Sequence, residues 1–298
     1  MRKNFLVSCL LLFACILQAN AFEAKDKKQF KVLLIEGQNN HENMRDGSQM
    51  MRGYLEETGM FRVDIISTPK KGADMSGFLP DFTTYDLVVS NYNGDSWPEV
   101  TNRNFEKFVS NGGGVVIVHA ADNAFPKWLA YNQMIGIGGW EGRDENSGPY
   151  LYYDEQKGKV VKDPSKGLGG SHGVQHEFVV TTREKKHPIV KGLPLEWLHQ
   201  KDELYDRLRG PAENVTVLAT AFSSKETKGS GRNEPVLMTL QYGKGKIFHT
   251  TLGHANYSQK CIGFITTLQR GAEWVATGKV TQKIPDNFPT KSQGSARP

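Results

Sequence analysis

Apolar and polar positions in the first half of the chain switch repeatedly between two periods. QFKVLLIEG (29–37) is a continuous apolar run that stops at glycine, DGSQMMRGYLEETG (46–59) has helical spacing, and FRVDIIS (61–67) alternates every second residue. The same signals return in YDLVVSN (85–91), EVTNRNFEKFVSNGG (99–113) and GVVIVHA (114–120). Strands and helices in alternation, with the strands apolar on both sides, predict a parallel sheet covered on each face by helices connected through right-handed crossovers. The expected class is α/β, a doubly wound, mostly parallel sheet of flavodoxin-like outline.

From Gly136 to Gly173 the periodicity lapses into a glycine- and aromatic-rich stretch, IGIGGWEGRDENSGPYLYY and beyond. A loop of that length in a compact domain is usually functional or disordered. Trp140, Tyr150, Tyr152 and Tyr153 argue for order, since so much aromatic surface seldom stays in water. Strand patterns resume at HEFVVTT (176–182), VTVLATA (215–221), PVLMTLQY (235–242) and KIFHTTLG (246–253), and a helix over 259–278 closes the domain. The polar segment 281–298 reads as a flexible tail, leaving one domain over 22–280.

The start of the chain changes the picture of where the protein works. Arg2 and Lys3 precede an apolar run from Phe5 to Leu17, and Ala19-Asn20-Ala21 follows it. This is the pattern of a secretory signal peptide cleaved after Ala21, so the expected location is exported, periplasmic. The run is short of the roughly 20 apolar residues a membrane span needs. Of three cysteines, Cys9 and Cys15 leave with that leader, and Cys261 alone cannot form an intramolecular disulfide. The formal charge of +5 falls by two without Arg2 and Lys3, and the lysines are scattered, which disfavours nucleic acid as a partner.

Ligands of such sheets sit beyond the carboxyl ends of the strands. Those ends carry polar groups here: Asn39, Asn40 and His41 after the first strand, Asn93 and Asp95 after the third, His119, Asp122 and Asn123 after GVVIV, and His254 after KIFHTTLG. His172 and His176 are four apart, as are His199 and Glu203, and a strand or a helix puts such pairs on one face. Histidines with a carboxylate suit zinc or another divalent first-row ion, although histidines beside glycine also simply bond loop backbone. His249 lies inside a strand as a core residue or a ligand, and Asp202 reads as a helix start. Where a nucleophile elbow would follow the strand GVVIV the chain shows HAADNAF, with no serine or cysteine, and there is no phosphate loop. Acyl-enzyme chemistry and a nucleotide cofactor are therefore not expected, and histidine and carboxylate acid/base chemistry remains.

Four stretches together carry a family resemblance: VLLIEGQNNH, GGGVVIVHAADNAF, the run GGSHGVQHEFVVTTREKKHPIVKGLPLEWLHQKDELYDRLRGPAENVTVLATA, and EPVLMTLQYGKGKIFHTTLGH. They resemble the ThuA-like family, named for trehalose utilization, across roughly Phe30 to Gly278. The resemblance implies a fold related to class I glutamine amidotransferases, with His119 where those enzymes carry their elbow cysteine and His254 near their late histidine. It also implies carbohydrate processing, in particular cleavage of 3-keto-glycosides by elimination and rehydration. A non-catalytic sugar-binding protein on the same fold is the competing expectation. The residue roles that follow are His119, His254 and Glu203 in catalysis; His41, Asp122, Asn123, Trp140, Arg143 and Tyr150 on the sugar; and His172, His176 and His199 on a metal. The expected partner is a small carbohydrate, and homo-oligomerisation stays open.

Overall fold

In a computed structural model, residues 29–298 are described; the leader and its cleavage after Ala21 lie outside them. The chain forms β1 (Phe30–Glu36), α1 (Met44–Glu56), β2 (Phe61–Ser67), β3 (Leu87–Ser90), α2 (Glu99–Ser110), β4 (Gly114–Val118) and α3 (Leu129–Ile135). The glycine- and aromatic-rich stretch then folds into a hairpin, β5 (Tyr150–Asp154) with β6 (Lys159–Asp163), and a two-residue strand β7 (Ser171–His172). Next come β8 (His176–Thr182), β9 (Glu196–Asp202), β10 (Tyr205–Asp206), β11 (Thr216–Phe222), β12 (Asn233–Tyr242) and β13 (Gly245–Thr250), with α4 (Asn256–Gln259) and α5 (Ile262–Thr277) closing the fold.

The main sheet runs β2-β1-β3-β4-β13-β12-β11-β8-β9. Its first five strands are parallel, in the flavodoxin-like order, and the rest extend it in antiparallel pairs. Side chains of β1 alternate between two cores. Val32 and Leu34 pack with Met51 and Leu55 of α1 and Phe264 of α5, while Leu33 and Ile35 pack with Phe105 of α2 and Met134 of α3. Two covered faces explain why β3 and β4 are buried at every position and why their sequences run apolar without a break. Gly271 lets α5 lie against β13, since a Cβ there would stand 2.1 Å from the Phe248 ring. Gly278, at φ 75°, ends that helix in the left-handed conformation.

The tail is docked rather than loose. Strand β9 is the last of the sheet, and its free edge needs partners. The amide of Leu198 donates to the Thr290 carbonyl at 2.8 Å, and that of Ile262 to Ser295 at 2.9 Å. Phe288 packs edge-on against buried Trp197, and Arg297 makes two bonds to Glu57 at 2.6 and 2.8 Å. Composition alone gave 281–298 no apolar pattern, because its partners are supplied by distant strands and helices.

Candidate functional site

The strand order reverses between β1 and β3, and the loops beyond their carboxyl ends part to leave a crevice. His41 enters it from the loop after β1, His119 from the end of β4 and His254 from the loop after β13. His172 enters from the short ribbon that β7 makes with β10, and Glu203 from the turn after β9. The carboxylate of Glu203 is the meeting point. Its Oε2 stands 3.7 Å from His41 Nε2 and 3.7 Å from His119 Nε2, and its Oε1 stands 3.4 Å from His172 Nε2 and 3.6 Å from His254 Nε2. Glu203, His41, His172 and His254, with Asn40, Asn93, Asn123, Trp140, Glu141 and Tyr205, line a cavity of about 380 Å³; His119 is outside that lining, its ring stacked 4.1 Å from that of Tyr205.

Three of the imidazoles are oriented by their far nitrogens. Nδ1 of His119 lies 2.6 Å from the Thr251 carbonyl, that of His172 2.9 Å from the Gly173 carbonyl, and that of His41 2.9 Å from Asn39 Oδ1. Each oxygen is an acceptor, so each Nδ1 carries a hydrogen, and in the neutral ring each Nε2 presents its lone pair toward Glu203. That pattern of outer hydrogen bonds fixes metal-binding histidines. His119 Nε2 is buried without a hydrogen-bond partner among the described residues. At 3.7 Å from Glu203 it is too far for a hydrogen bond, yet two ligands of one tetrahedral ion, each about 2.1 Å from the metal, stand about 3.4 Å apart. His41, His119 and Glu203 each offer one atom within 4.8 Å of the others, a donor set that fits a divalent first-row ion.

Backbone strain collects at the same place. His119 (φ 45°), Phe125 (φ 50°), Trp140 (φ 51°) and Glu141 (φ 51°) adopt left-handed conformations that cost a non-glycine residue about 1–3 kcal/mol. The turn at His119 ends β4 and sets its buried ring against Tyr205, with Nε2 3.7 Å from Glu203.

Charge is distributed unequally among the imidazoles. Burial pushes the Glu203 carboxyl up, but the neighbouring His119, His41 and His254 outweigh it and hold it below the usual carboxylate range. Burial likewise pushes His119 down, and Glu203 and Asp202 reverse that and raise it. A proton on His119 occupies the place of a cation, and metal binding exchanges one for the other. His254 is lowered to about 4, first by burial and, against the pull of Glu203, by the charges of His119 and His41. It is therefore a neutral base at pH 7.

Beneath the cavity, Asp202 ties the pieces together. Its Oδ2 accepts from His199 Nε2 at 2.7 Å and from the Gly253 amide at 2.8 Å, and its Oδ1 accepts from the amides of Glu203 at 2.8 Å and His254 at 3.0 Å. No helix starts here; Asp202 is the last residue of β9.

Several sequence expectations change with these placements. His176 and His199 do not join the cluster. His176 Nδ1 faces the Val174 carbonyl at 2.7 Å and its ring packs on Phe178, while His199 is fully buried between Asp202 and Cys261. The four-residue spacings misled because β7 ends after His172 and β9 ends before Glu203, so neither pair shares one regular element. Asp122 is fully buried and faces core His249 at 3.3 Å. Arg143, 1% exposed, spends its guanidinium on the carbonyls of Asn123, Ala124 and Gly139 and on Asn132, leaving none for a sugar. Tyr150 donates to the Leu168 carbonyl under the guanidinium of Arg209, away from the cavity. His41, Asn123 and Trp140 do line it. The sequence reading put Asn40 and Asn93 on the rim without giving them a role, and named neither Tyr205 nor Glu141 as a site residue. Tyr205 sits in the DELY motif, and the asparagines lie at strand ends, so a signal existed for three of the four.

A parallel-sheet crevice with a histidine-carboxylate centre defines an α/β protein with a polar cavity at the carboxyl ends of its strands. The chain belongs to the ThuA family, described as trehalose utilisation, whose model matches residues 31–275. It is similar to a ThuA-like protein from Parabacteroides merdae, at 57% identity over 91% of this chain and 98% of that one, with a TM-score of 0.87. A ThuA-like protein from Bacteroides uniformis shares the fold at 16% identity, covering 87% of this chain and 97% of that one, with a TM-score of 0.57. So does part of a β-galactosidase from Bacillus circulans sp. alkalophilus, at 14% identity over 89% of this chain and 34% of that one, with a TM-score of 0.50. No curated protein matches the chain. Among the described residues no helix is long and apolar enough to cross a membrane.

Proposed function

We propose that this protein is an exported carbohydrate-processing enzyme that cleaves 3-keto-glycosides at the His41/His119/Glu203 centre. The observation that carries the reading is the convergence of four Nε2 atoms from four separate loops within 3.7 Å of one carboxylate. His41, His119 and Glu203 would hold a divalent ion, with His172 at the rim as a further ligand. When bound, the ion supplies Lewis-acid polarisation of the C3 carbonyl oxygen.

A ketone at C3 acidifies the hydrogen on C2. His254, neutral because its environment lowers it to about 4, takes that proton. The C2–H electron pair forms the C2–C3 double bond of the enolate. Re-forming the carbonyl expels the C1 substituent, which leaves with the proton from the His254 imidazolium. Water then adds at C1 while a proton returns to C2, so the net change is hydrolysis without a covalent enzyme intermediate. The turn after β4 carries His119 in place of a Ser or Cys nucleophile, which is consistent with this, as is a polar cavity large enough for one sugar ring. Export rests on the Arg2–Ala21 pattern alone.

The test pairs elemental analysis with turnover. The purified protein should carry close to one equivalent of a divalent ion and release free sugar from a chemically oxidised 3-keto-disaccharide. His41→Ala and His119→Ala should each lose the ion and reduce kcat/KM by at least about 100-fold. His254→Ala should keep the ion and lose turnover. A metal-free protein with full activity, or one whose activity survives His119→Ala, would remove this proposal.

A further inference from the structure

The loop beside the cavity turns at Glu141 in a conformation that a glutamate does not favour. The Arg143 amide donates to the Trp140 carbonyl at 2.9 Å, so Glu141 and Gly142 are the central pair of a tight turn, with φ 51° and 79°. Positive φ at both central positions is the type I′ pattern, which Asn, Asp and Gly fill readily and a longer side chain fills under strain. The turn is held from both sides. The Trp140 amide donates to the Gly169 carbonyl at 2.8 Å, the Gly169 amide to the Arg143 carbonyl at 2.7 Å, and the buried Arg143 guanidinium to the Gly139 carbonyl at 2.7 Å.

Trp140 is left-handed too, but contacts offset its strain: its ring meets that of Tyr205 edge-on at 4.7 Å and lies 6.1 Å from that of His172. Glu141 has no such compensation. It is exposed, and no hydrogen bond or ion pair among the described residues uses its carboxylate. A glycine at this position would relax the backbone and forfeit no contact within the chain. Strain kept with nothing inside the protein to offset it points to a group that arrives from outside. Glu141 lines the histidine cavity and also an adjoining chamber, with Lys70 and Lys71, that none of the histidines borders. It therefore stands on the side of the cavity away from the Glu203 cluster. An ionised carboxylate accepts hydrogens through both oxygens, which suits hydroxyl donors and gives nothing to a carbonyl oxygen.

We infer that Glu141 is a specificity-determining residue, which accepts hydrogen bonds from the ligand hydroxyls farthest from the histidines and so turns the reacting edge of the ring toward His254. This rests on the proposed function for the identity of that ring. With C1, C2 and C3 of a 3-keto-glucoside at the histidines, the hydroxyls on C4 and C6 reach the opposite wall.

The test combines stability with hydroxyl deletion. Glu141→Gly should raise the thermal midpoint by about 2–4 °C. The same variant should lower kcat/KM for methyl 3-keto-glucoside at least about 10-fold, the worth of one hydrogen bond to a charged group. Glu141→Gln keeps the strained backbone, so it should lose turnover with no gain in stability. Removing the C4 or the C6 hydroxyl of the substrate should cost the wild type about 10-fold or more and Glu141→Gly less than about 3-fold, with ion content unchanged in both variants. A glycine variant that is no more stable than wild type overturns the inference, as does one that keeps full kcat/KM or remains as sensitive as wild type to loss of both hydroxyls. If the wild type turns over no 3-keto-glycoside, the proposed reaction falls. Calorimetric affinities for methyl glucoside and its 4-deoxy and 6-deoxy forms then decide the role of Glu141: a preference for the hydroxyls that Glu141→Gly abolishes upholds it, and no binding or no preference overturns it. Wild-type turnover that Glu141→Gly leaves unimpaired removes this role alone.

Discussion

Replacing Asp202 by asparagine removes one charge and keeps the shape, and the four hydrogen bonds around that side chain set the cost. Both carboxylate oxygens accept two donors, His199 Nε2 and the Gly253 amide on one, the Glu203 and His254 amides on the other. An asparagine accepts on one side only. If its NH₂ turns toward Glu203 and His254, two buried amides face a donor. If it turns toward His199, that ring can shift tautomer, but the Gly253 amide is still left over. Each unsatisfied buried group costs about 1–3 kcal/mol, and the lost ion pair with the His199 imidazolium adds to it. Burial alone would lower His199, and Cys261 and Asp202 raise it, so the wild-type pair is charged. The expected destabilisation is about 3–5 kcal/mol, read as a shift of the urea midpoint at constant slope. In the same variant, ion affinity should fall at least about 10-fold, because the amides that position Glu203 and His254 are released. Asp202→Glu should not rescue, since its longer side chain cannot keep all four distances. A variant within 0.5 kcal/mol of wild type, with unchanged ion content, would refute the role given to this carboxylate.

Three other outcomes follow from the same geometry. Glu234 is fully enclosed, and burial together with the charge of Asp206, against a hydrogen bond from Ser230, raises its carboxyl to about 7. The native state then holds a proton that the unfolded chain releases near 4.5, so this stabilisation is full below pH 4.5 and is lost as pH rises through 7. It amounts to about 3 kcal/mol, and Glu234→Gln should flatten the fall in urea stability between pH 5 and pH 8 by that order; an unchanged slope would contradict the burial argument. Arg143→Met should lower stability by about 3 kcal/mol, because three carbonyls lose their donor, while a loss of sugar affinity in a variant of normal stability would return Arg143 to the ligand-binding set. Truncation at residue 280 strips Phe288 from Trp197 and the partners from the β9 edge; it should lower the thermal midpoint by several degrees and promote aggregation, and an unaltered melting curve would show the tail to be dispensable.

What the sequence determined by itself was the local order of elements. The unbroken apolar runs of β1, β3 and β4, the helical spacing of α1 and α2 and the glycine at the end of α5 each encode a structure within a few residues of themselves. Their alternation was enough for a doubly wound α/β sheet and for the rule that its ligands gather at the carboxyl ends. His41, His119 and His254 were legible for that reason, each lying just past a strand. Pairing that spans the chain was not. The antiparallel half of the sheet, the docked tail and the partners of Arg143, Asp122 and Tyr150 depend on surfaces supplied from tens to hundreds of residues away. Spacing of four along the chain suggested that His172 and His176, and His199 and Glu203, act in pairs. The fold instead ended a strand between the members of each, so His172 and Glu203 face the cavity while His176 and His199 serve the backbone and the core. Periodicity is a property of neighbours along the chain; a centre made by five loops exists only once the sheet has fixed where those loops begin.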